Sequence, residues 1–430
     1  MIAELTPKVA IETHGCKLNQ ADSEKLALEF MEAGFALVGT DQRVDIYIVN
    51  TCTVTHVADR KARRAIRAAR KQNPSAIIVA TGCYVDRDEE AILALPEIDI
   101  IANNSDKVTL VKEIIANQGD DFISCTVGTD QVPVNLSLRR TRANVKIQEG
   151  CNQVCSYCIV PKVRGRERSI PADQIVSSIK RLQSVGYREV VLTGTQLGSY
   201  GFDITDGPDK LYKLIEYILQ NTSIERLRVS SIQPQEVNPD LLNLWQDPRL
   251  CPHMHIPLQS GSNRILKLMR RRYTRQDYLA SICEVSAKFP EISITTDIIV
   301  GFPGETESEY LDTIDIVNTV DFAKLHVFPF SIRPGTTAAY MKDEIKHQLK
   351  SLRVKTLIKL GEQKSYRYKQ RMLGSVRSVL WEEKKHGVWH GLTDNYIRVN
   401  LCSDRDLGNQ ISSVLLMEQS GGSVACSIKE

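Results

Sequence analysis

The sequence predicts an α/β chain of three parts: an N-terminal parallel-sheet α/β domain, a partial, open (βα)6 barrel, and a small antiparallel β-barrel of OB-like size at the C-terminal end. Three observations carry the prediction. Apolar, β-branched runs alternate with helically spaced segments over most of the chain, the pattern of a mostly parallel sheet. About six strand–helix units follow one another within roughly 190 residues, too few for a closed eight-unit barrel. Residues 371–430 then drop the helical period and alternate apolar with polar positions.

In order, KVAIETHG, VDIYIVNTC and AIIVATGC read as strands, and residues 98–102 repeat their character. ADSEKLALEFMEAG, between the first two, has helical spacing, with Leu26, Phe30 and Met31 on one face and Gly34 as its stop. These elements make a first domain over 1–120, and residues 119–138 read as a connector. The second series, 139–367, has VKIQEGC, REVVLTG, ERLRVSS, HMHIPLQSG, ISITTDIIVGFPG and AKLHVFPFS as strands. Its helices are PADQIVSSIKRLQSVG, with Pro171 in the first turn, then LYKLIEYILQN, PDLLNLWQD, SNRILKLM, DYLASICEVSAKF and ESEYLDTIDIVNTV. A charged helix over roughly 343–370 leads into the last domain, 368–430, whose strands are VRSVLWEE, GVWHGLT, YIRVNL, SSVLLMEQ and VACSIKE.

The 430 residues are 42% hydrophobic and 25% charged, ordinary for a globular protein. A formal net charge of +3 is too small to imply nucleic-acid binding, so that case rests on local patches. The first residues include Glu4, Lys8 and Glu12 and no apolar run, and no stretch approaches the roughly 20 apolar residues of a membrane span. A cytoplasmic protein is expected. Eleven cysteines in such a chain imply metal ligation, catalysis or burial rather than disulfides. Cys125, Cys251, Cys283, Cys402 and Cys426 have no ligand-like company and are expected to be buried.

The densest motif is GCNQVCSYC, which puts Cys151, Cys155 and Cys158 on one tight loop. Zinc is the competing metal; structural zinc takes paired halves and four protein ligands, and no second pair or nearby histidine completes the set here. A [4Fe–4S] cluster takes one ligand per iron, so three cysteines leave one iron open. The Cx3CxxC spacing, placed after the first strand of a partial barrel, resembles the radical S-adenosylmethionine (radical SAM) superfamily. That resemblance implies that SAM chelates the open iron and that its reductive cleavage yields a deoxyadenosyl radical, which abstracts a hydrogen atom. It implies SAM contacts as well. Gly194 and Thr195, with Gln196 beside them, match the stretch that binds the SAM amino group. Ser230 and Ser231 match the ribose side, and Tyr157 matches an aromatic residue whose backbone approaches adenine. DIIVGFPGE resembles the later strand and turn near adenine.

Cys16, Cys52 and Cys83 stand at the ends of three predicted strands, where ligands collect in open α/β sheets. With them the whole chain resembles the methylthiotransferases, also through HIPLQSGSNRILKLMRRRYT, FPFSIRPGT and GLTDNYIRV. The resemblance implies a second [4Fe–4S] cluster on Cys16, Cys52 and Cys83, a radical SAM core over the barrel, and a C-terminal TRAM domain that grips tRNA. GCKLNQADSE and LTGTQLGSYG resemble the branch acting at C2 of N6-threonylcarbamoyladenosine, 3′ to the anticodon. The alternatives are isopentenyladenosine in tRNA, a ribosomal-protein aspartate, or a non-catalytic RNA-binding protein with a structural metal. Lys162 and Val163 depart from the Tyr-Ala that the family often carries there. The implied partners are tRNA and a reducing electron donor, with neither membrane nor DNA.

RKARRAIRAARK, residues 60–71, has no acid and places Arg60, Arg63, Arg64, Arg67, Arg70 and Lys71 along one helix face. Arg164, Arg166 and Arg168 form a second patch, and Arg270, Arg271 and Arg272 a third. Arg60, Arg63, Arg64, Arg67, Arg166 and Arg271 are the RNA-binding candidates, against a solvated charged face as the plainer reading. Trp381, Trp389, His390 and Tyr396 offer stacking surfaces in the last domain, against core packing.

Overall fold

A computed structural model describes residues 6–117 and 141–429; the connector and Cys125 lie outside the described residues. Strands β1 (Lys8–Thr13), β2 (Ala36–Leu37), β3 (Ile46–Thr51), β4 (Ile77–Gly82) and β5 (Ile100–Ala102) form a parallel sheet in the order β2-β1-β3-β4-β5. β3 is buried along its whole length, which its unbroken IYIVNT requires. Ile46 and Ile48 pack with Leu26 and Phe30 of the helix Lys17–Glu32. Tyr47 and Val49, pointing the other way, pack with Ala62, Ile66 and Ala69 of the helix His56–Gln72. Met31 stays half-buried at the helix edge, a turn of about 100° from Phe30.

The second domain contains β6 (Arg142–Lys146), β7 (Gln148–Glu149), β8 (Arg168–Ser169), β9 (Glu189–Thr193), β10 (Arg226–Val229), β11 (His253–His255), β12 (Ser293–Val300) and β13 (Lys324–Pro329). β6-β9-β10 and β11-β12-β13 are parallel sheets, and a parallel bridge between Ser231 and His255 joins them into the expected open barrel. β7 pairs antiparallel with β8, so a short hairpin brackets the cysteine loop. Pro171 is the N-cap of the helix Ala172–Ser184 rather than part of its first turn, because its ψ of 140° is extended.

The helix His347–Met372 leads to β14 (Val376–Lys385), β15 (Val388–Thr393), β16 (Arg398–Cys402), β17 (Ile411–Ser420) and β18 (Ser423–Ile428), a closed barrel. The pairing of β16 with β18 is parallel and completes the ring. Trp381 and Trp389 sit in the core of this barrel, so packing, not base stacking, uses them. Cys251 and Cys426 are buried as expected, whereas Cys283 and Cys402 are exposed, one on a helix flank and one at a strand end. Among the described residues, no helix is long and apolar enough to cross a membrane.

Candidate active site

The three cysteines of the first domain converge at the carboxyl edge of its sheet. Cys16 is the N-cap of the helix Lys17–Glu32, Cys52 follows β3, and Cys83 opens the helix Cys83–Arg87 directly after β4. The Asn19 carboxamide oxygen lies 3.9 Å from the Cys16 sulfur and 3.8 Å from that of Cys83. A Cβ on Gly15 would come within 2.8 Å of the Cys52 sulfur, and its φ of 104° belongs to glycine. Burial pushes the Cys52 thiol up to about 12 and raises that of Cys83. Against this, Arg164 donates from Nε to the Cys83 sulfur at 3.4 Å.

Cys151, Cys155 and Cys158 follow β7 on a loop clamped at both ends. The Cys151 N–H donates to the Gly165 carbonyl at 3.1 Å, and a Cβ on Gly150 would meet the Arg166 carbonyl oxygen at 2.0 Å. The Ser156 N–H donates to the Met269 carbonyl, and the Ser156 carbonyl accepts from Ala338. Tyr157 packs its ring with Ile265, Met269 and Phe330. Burial pushes the Cys151 thiol up to about 11 and the Cys158 thiol to about 12. Arg271 donates to the Cys155 sulfur at 3.4 Å and to the Tyr273 hydroxyl at 3.2 Å. It therefore sits against a cysteine sulfur rather than on an open phosphate-binding surface.

Both trios fit an iron–sulfur cluster better than one ion. A single tetrahedral metal with bonds of about 2.3 Å to sulfur holds its thiolates roughly 3.8 Å apart. Among the described residues, neither trio gathers its three sulfurs within 4.8 Å of one another. Each trio has an arginine N–H on one sulfur, the kind of hydrogen bond that tunes a cluster.

Gly194, Thr195 and Gln196 form the turn after β9. The amides of Thr195 and Gln196 both donate, at 2.9 Å, to the side-chain oxygen of Gln148, which fixes the turn from β7. Gln196 donates in turn to Glu236, whose carboxyl burial pushes up to about 7. Ser230 is buried at the end of β10, and Ser231 is exposed beside it. A Cβ on Gly198 would lie 1.9 Å from the Glu236 carboxyl carbon. Gly198→Ala is therefore expected to displace Glu236 and destabilise the fold by about 1–3 kcal/mol, measurable as a lowered melting temperature.

Gly194, Ser230, Cys16, Lys17, His326 and Tyr396 are among the residues lining one cavity of about 420 Å³ where the three domains meet. Its barrel wall carries a set the sequence reading did not single out. Strand register places His255 opposite Thr295 and Asp297 opposite His326. Ligand atoms of His255, Asp297 and His326 lie within 4.8 Å of one another. The Thr295 hydroxyl lies between His253 Nε2 at 3.0 Å and His255 Nδ1 at 2.9 Å, and His255 Nε2 lies 3.3 Å from Asp297. One proton order satisfies all three: His253 donates to Thr295, Thr295 to His255, and His255 to Asp297. Burial holds His253 neutral, well below its ordinary pKa. The signal for this set was HMH, two histidines two apart on one strand face.

The basic patches separate in space. Arg60 and Arg64 are exposed on the helix His56–Gln72. Arg63 reaches the Tyr84 hydroxyl, Arg67 lies 3.7 Å from Glu97, and Arg70 pairs with Asp99. The run lacks acids, yet the fold supplies them from the neighbouring loop. Arg166 is exposed, whereas Arg164 is buried and bridges Asp22 at 2.8 Å and Glu149 at 2.7 Å.

Residues 8–103 match the family described as Uncharacterized protein family UPF0004, and residues 145–317 match the Radical SAM superfamily. The chain is 35% identical over 424 residues to Threonylcarbamoyladenosine tRNA methylthiotransferase MtaB of Bacillus subtilis, covering 95% of this chain and 94% of that one. The chain belongs to the radical SAM methylthiotransferase family. The MtaB protein of Aquifex aeolicus is 36% identical, over 94% of this chain and 99% of its own. A tRNA-2-methylthio-N(6)-dimethylallyladenosine synthase of Thermodesulfovibrio yellowstonii is 35% identical, over 94% and 95%. Among solved structures, the radical SAM methyltransferase TsrM of Kitasatospora setae matches with a TM-score of 0.57 at 14% identity, covering 77% of each chain, and shares the fold. Membership of the radical SAM family brings a [4Fe–4S] cluster and SAM.

Proposed function

We propose that the chain methylthiolates C2 of N6-threonylcarbamoyladenosine, 3′ to the anticodon of tRNA. In this reading Cys151, Cys155 and Cys158 hold the cluster at which SAM binds, and Cys16, Cys52 and Cys83 hold a second [4Fe–4S] cluster that carries the sulfur. The observation that supports it best is the shared cavity, which Cys16 borders from one domain and Gly194 and Ser230 from the other. A base seated there would lie beside Cys16 and the turn at Gly194. With its cluster and a reducing electron donor, SAM supplies the radical that takes hydrogen from the base.

The protein's own residues position and shield. Gln148 holds the Gly194–Gln196 turn that would bind the SAM amino group, and Ser230 and Ser231 would take its ribose. Tyr157 anchors the loop whose backbone would meet adenine, and Arg271 and Arg164 hold their cysteine sulfurs in place.

The relatives named for threonylcarbamoyladenosine support that substrate. The relative named for dimethylallyladenosine, equally similar, supports that adenosine as the second reading. Mass spectrometry of tRNA nucleosides from a strain lacking the gene, with and without the gene restored, tests both. Loss and return of 2-methylthio-N6-threonylcarbamoyladenosine is expected; a change confined to the isopentenyl product moves the assignment to the second reading.

Arg60, Arg64 and Arg166 are the phosphate contacts of this reading, since each is exposed and, among the described residues, has no ion-pair partner within 4.0 Å. Replacing Arg60 and Arg64 together with alanine is expected to weaken tRNA binding and to lower the slope of log K against log salt by about two. Titration of tRNA at several salt concentrations measures it.

A further inference from the structure

Lys17 is a cation on the wall of the cavity between the three domains, and its charge is not taken up by the ion pairs around it. Lys17, the first residue of the helix Lys17–Glu32, is half-buried and borders both this cavity and a neighbouring one of about 390 Å³. Among the described residues, no carboxylate lies within 4.0 Å of its ammonium, and the nearby acids are already engaged. Glu382 pairs with Arg142 at 2.9 Å, and Glu189 pairs with Arg226 at 2.8 Å and Arg228 at 2.9 Å. Asp297 is bound to His255. Arg142 and Arg228, both cationic, also border the neighbouring cavity. A charge withdrawn from water without a partner is costly, so an anion arriving from outside would stabilise the ammonium at this position.

Polar groups stand near Lys17 on a wall whose exposed surface is otherwise mostly apolar. His326 and His255 present imidazoles, and Tyr396 reaches in from the C-terminal barrel, stacked on His253 with ring centroids 4.4 Å apart. Leu18 and Phe328 are the large aliphatic and phenyl side chains of the lining. We propose that Lys17 is the specificity-determining residue of this cavity, binding the carboxylate that a threonylcarbamoyl substituent carries and an isopentenyl substituent lacks, with His326 and Tyr396 beside it. The inference rests on the reading of the substrate given above and names the group that selects it.

The test uses the full, cluster-loaded chain and anticodon stem-loops carrying either N6-threonylcarbamoyladenosine or its methyl ester, which removes the charge and adds only a methyl group. The unsubstituted protein is expected to favour the acid over the ester by about tenfold or more in kcat/KM. Lys17→Met is expected to bring the two within about twofold, with iron content unchanged. A phosphate of the RNA as the true partner of Lys17 predicts equal loss on both substrates and overturns the proposal. Equal use of acid and ester by the unsubstituted protein overturns it as well. If Lys17→Met fails to assemble its clusters, the acid–ester comparison on the unsubstituted protein decides alone. Turnover of an isopentenyl stem-loop with none of either threonylcarbamoyl substrate instead overturns the substrate reading, and the role of Lys17 falls with it.

Discussion

Cys155→Ala is expected to abolish SAM cleavage, while Cys83→Ala leaves SAM cleavage in place and removes only the methylthiolated product. The expectation follows from where the two trios sit. Cys155 lies on the loop after β7, with Arg271 on its sulfur and the Gly194–Gln196 turn held by Gln148 from the same strand. Cys83 belongs to another domain, on another sheet, with Arg164 and Asn19 around it. A cluster that loses one of three cysteine ligands is lost or badly destabilised, so each substitution is expected to remove about half of the bound iron. Deoxyadenosine formation, methylthio-nucleoside yield and iron content, measured on one preparation of each variant, separate the two sites. Product from Cys83→Ala at the unsubstituted rate would sink the two-cluster reading.

Much of this was legible in the chain because it is written in short-range patterns. Strands ending in cysteine follow from apolar runs and their stops, and the Cys151 loop from spacing alone. Arg164 was not legible. In RGRER it reads as one cation among several, and its partner Asp22 lies 142 residues away. The same holds for Arg271, which reads as part of RRR until the fold sets it on a sulfur. His255, Asp297 and His326 come from three strands, and only the register of β11, β12 and β13 brings them to one place. Register depends on tertiary packing that no local window contains. The exposure of Cys283 and Cys402 makes the same point from the other side, since composition says how often cysteine is buried and the helix face or strand end decides the case.

Glu189→Gln carries the largest stability effect. Glu189 opens β9 with 0% exposure and pairs with Arg226 at 2.8 Å and Arg228 at 2.9 Å. Those arginines also donate to the carbonyls of Leu392, Thr393 and Asp394, so one buried carboxylate steadies the seam between the barrel and the C-terminal domain. Removing its charge strands two buried guanidinium groups, a loss of about 3–5 kcal/mol. The sign of the pH dependence follows from the depressed carboxyl, held at about 2 against an ordinary 4.5. Stability from this group is complete above pH 4.5 and is lost as pH falls through 2. Glu236 runs the other way: its carboxyl, raised to about 7, favours the protonated folded form and costs stability as pH climbs from 4.5 through 7. Thermal melts across this range are therefore expected to show Glu189→Gln melting lower near neutrality and losing less on acidification than the unsubstituted chain. Replacing Glu189, Arg226 and Arg228 together with apolar residues would remove the stranded charges, but it would also take the arginine donors from the carbonyls at 392–394. The triple variant is therefore expected to recover only part of the loss. Full recovery would mean that the seam is held by packing and that the buried ion cluster contributes nothing to it.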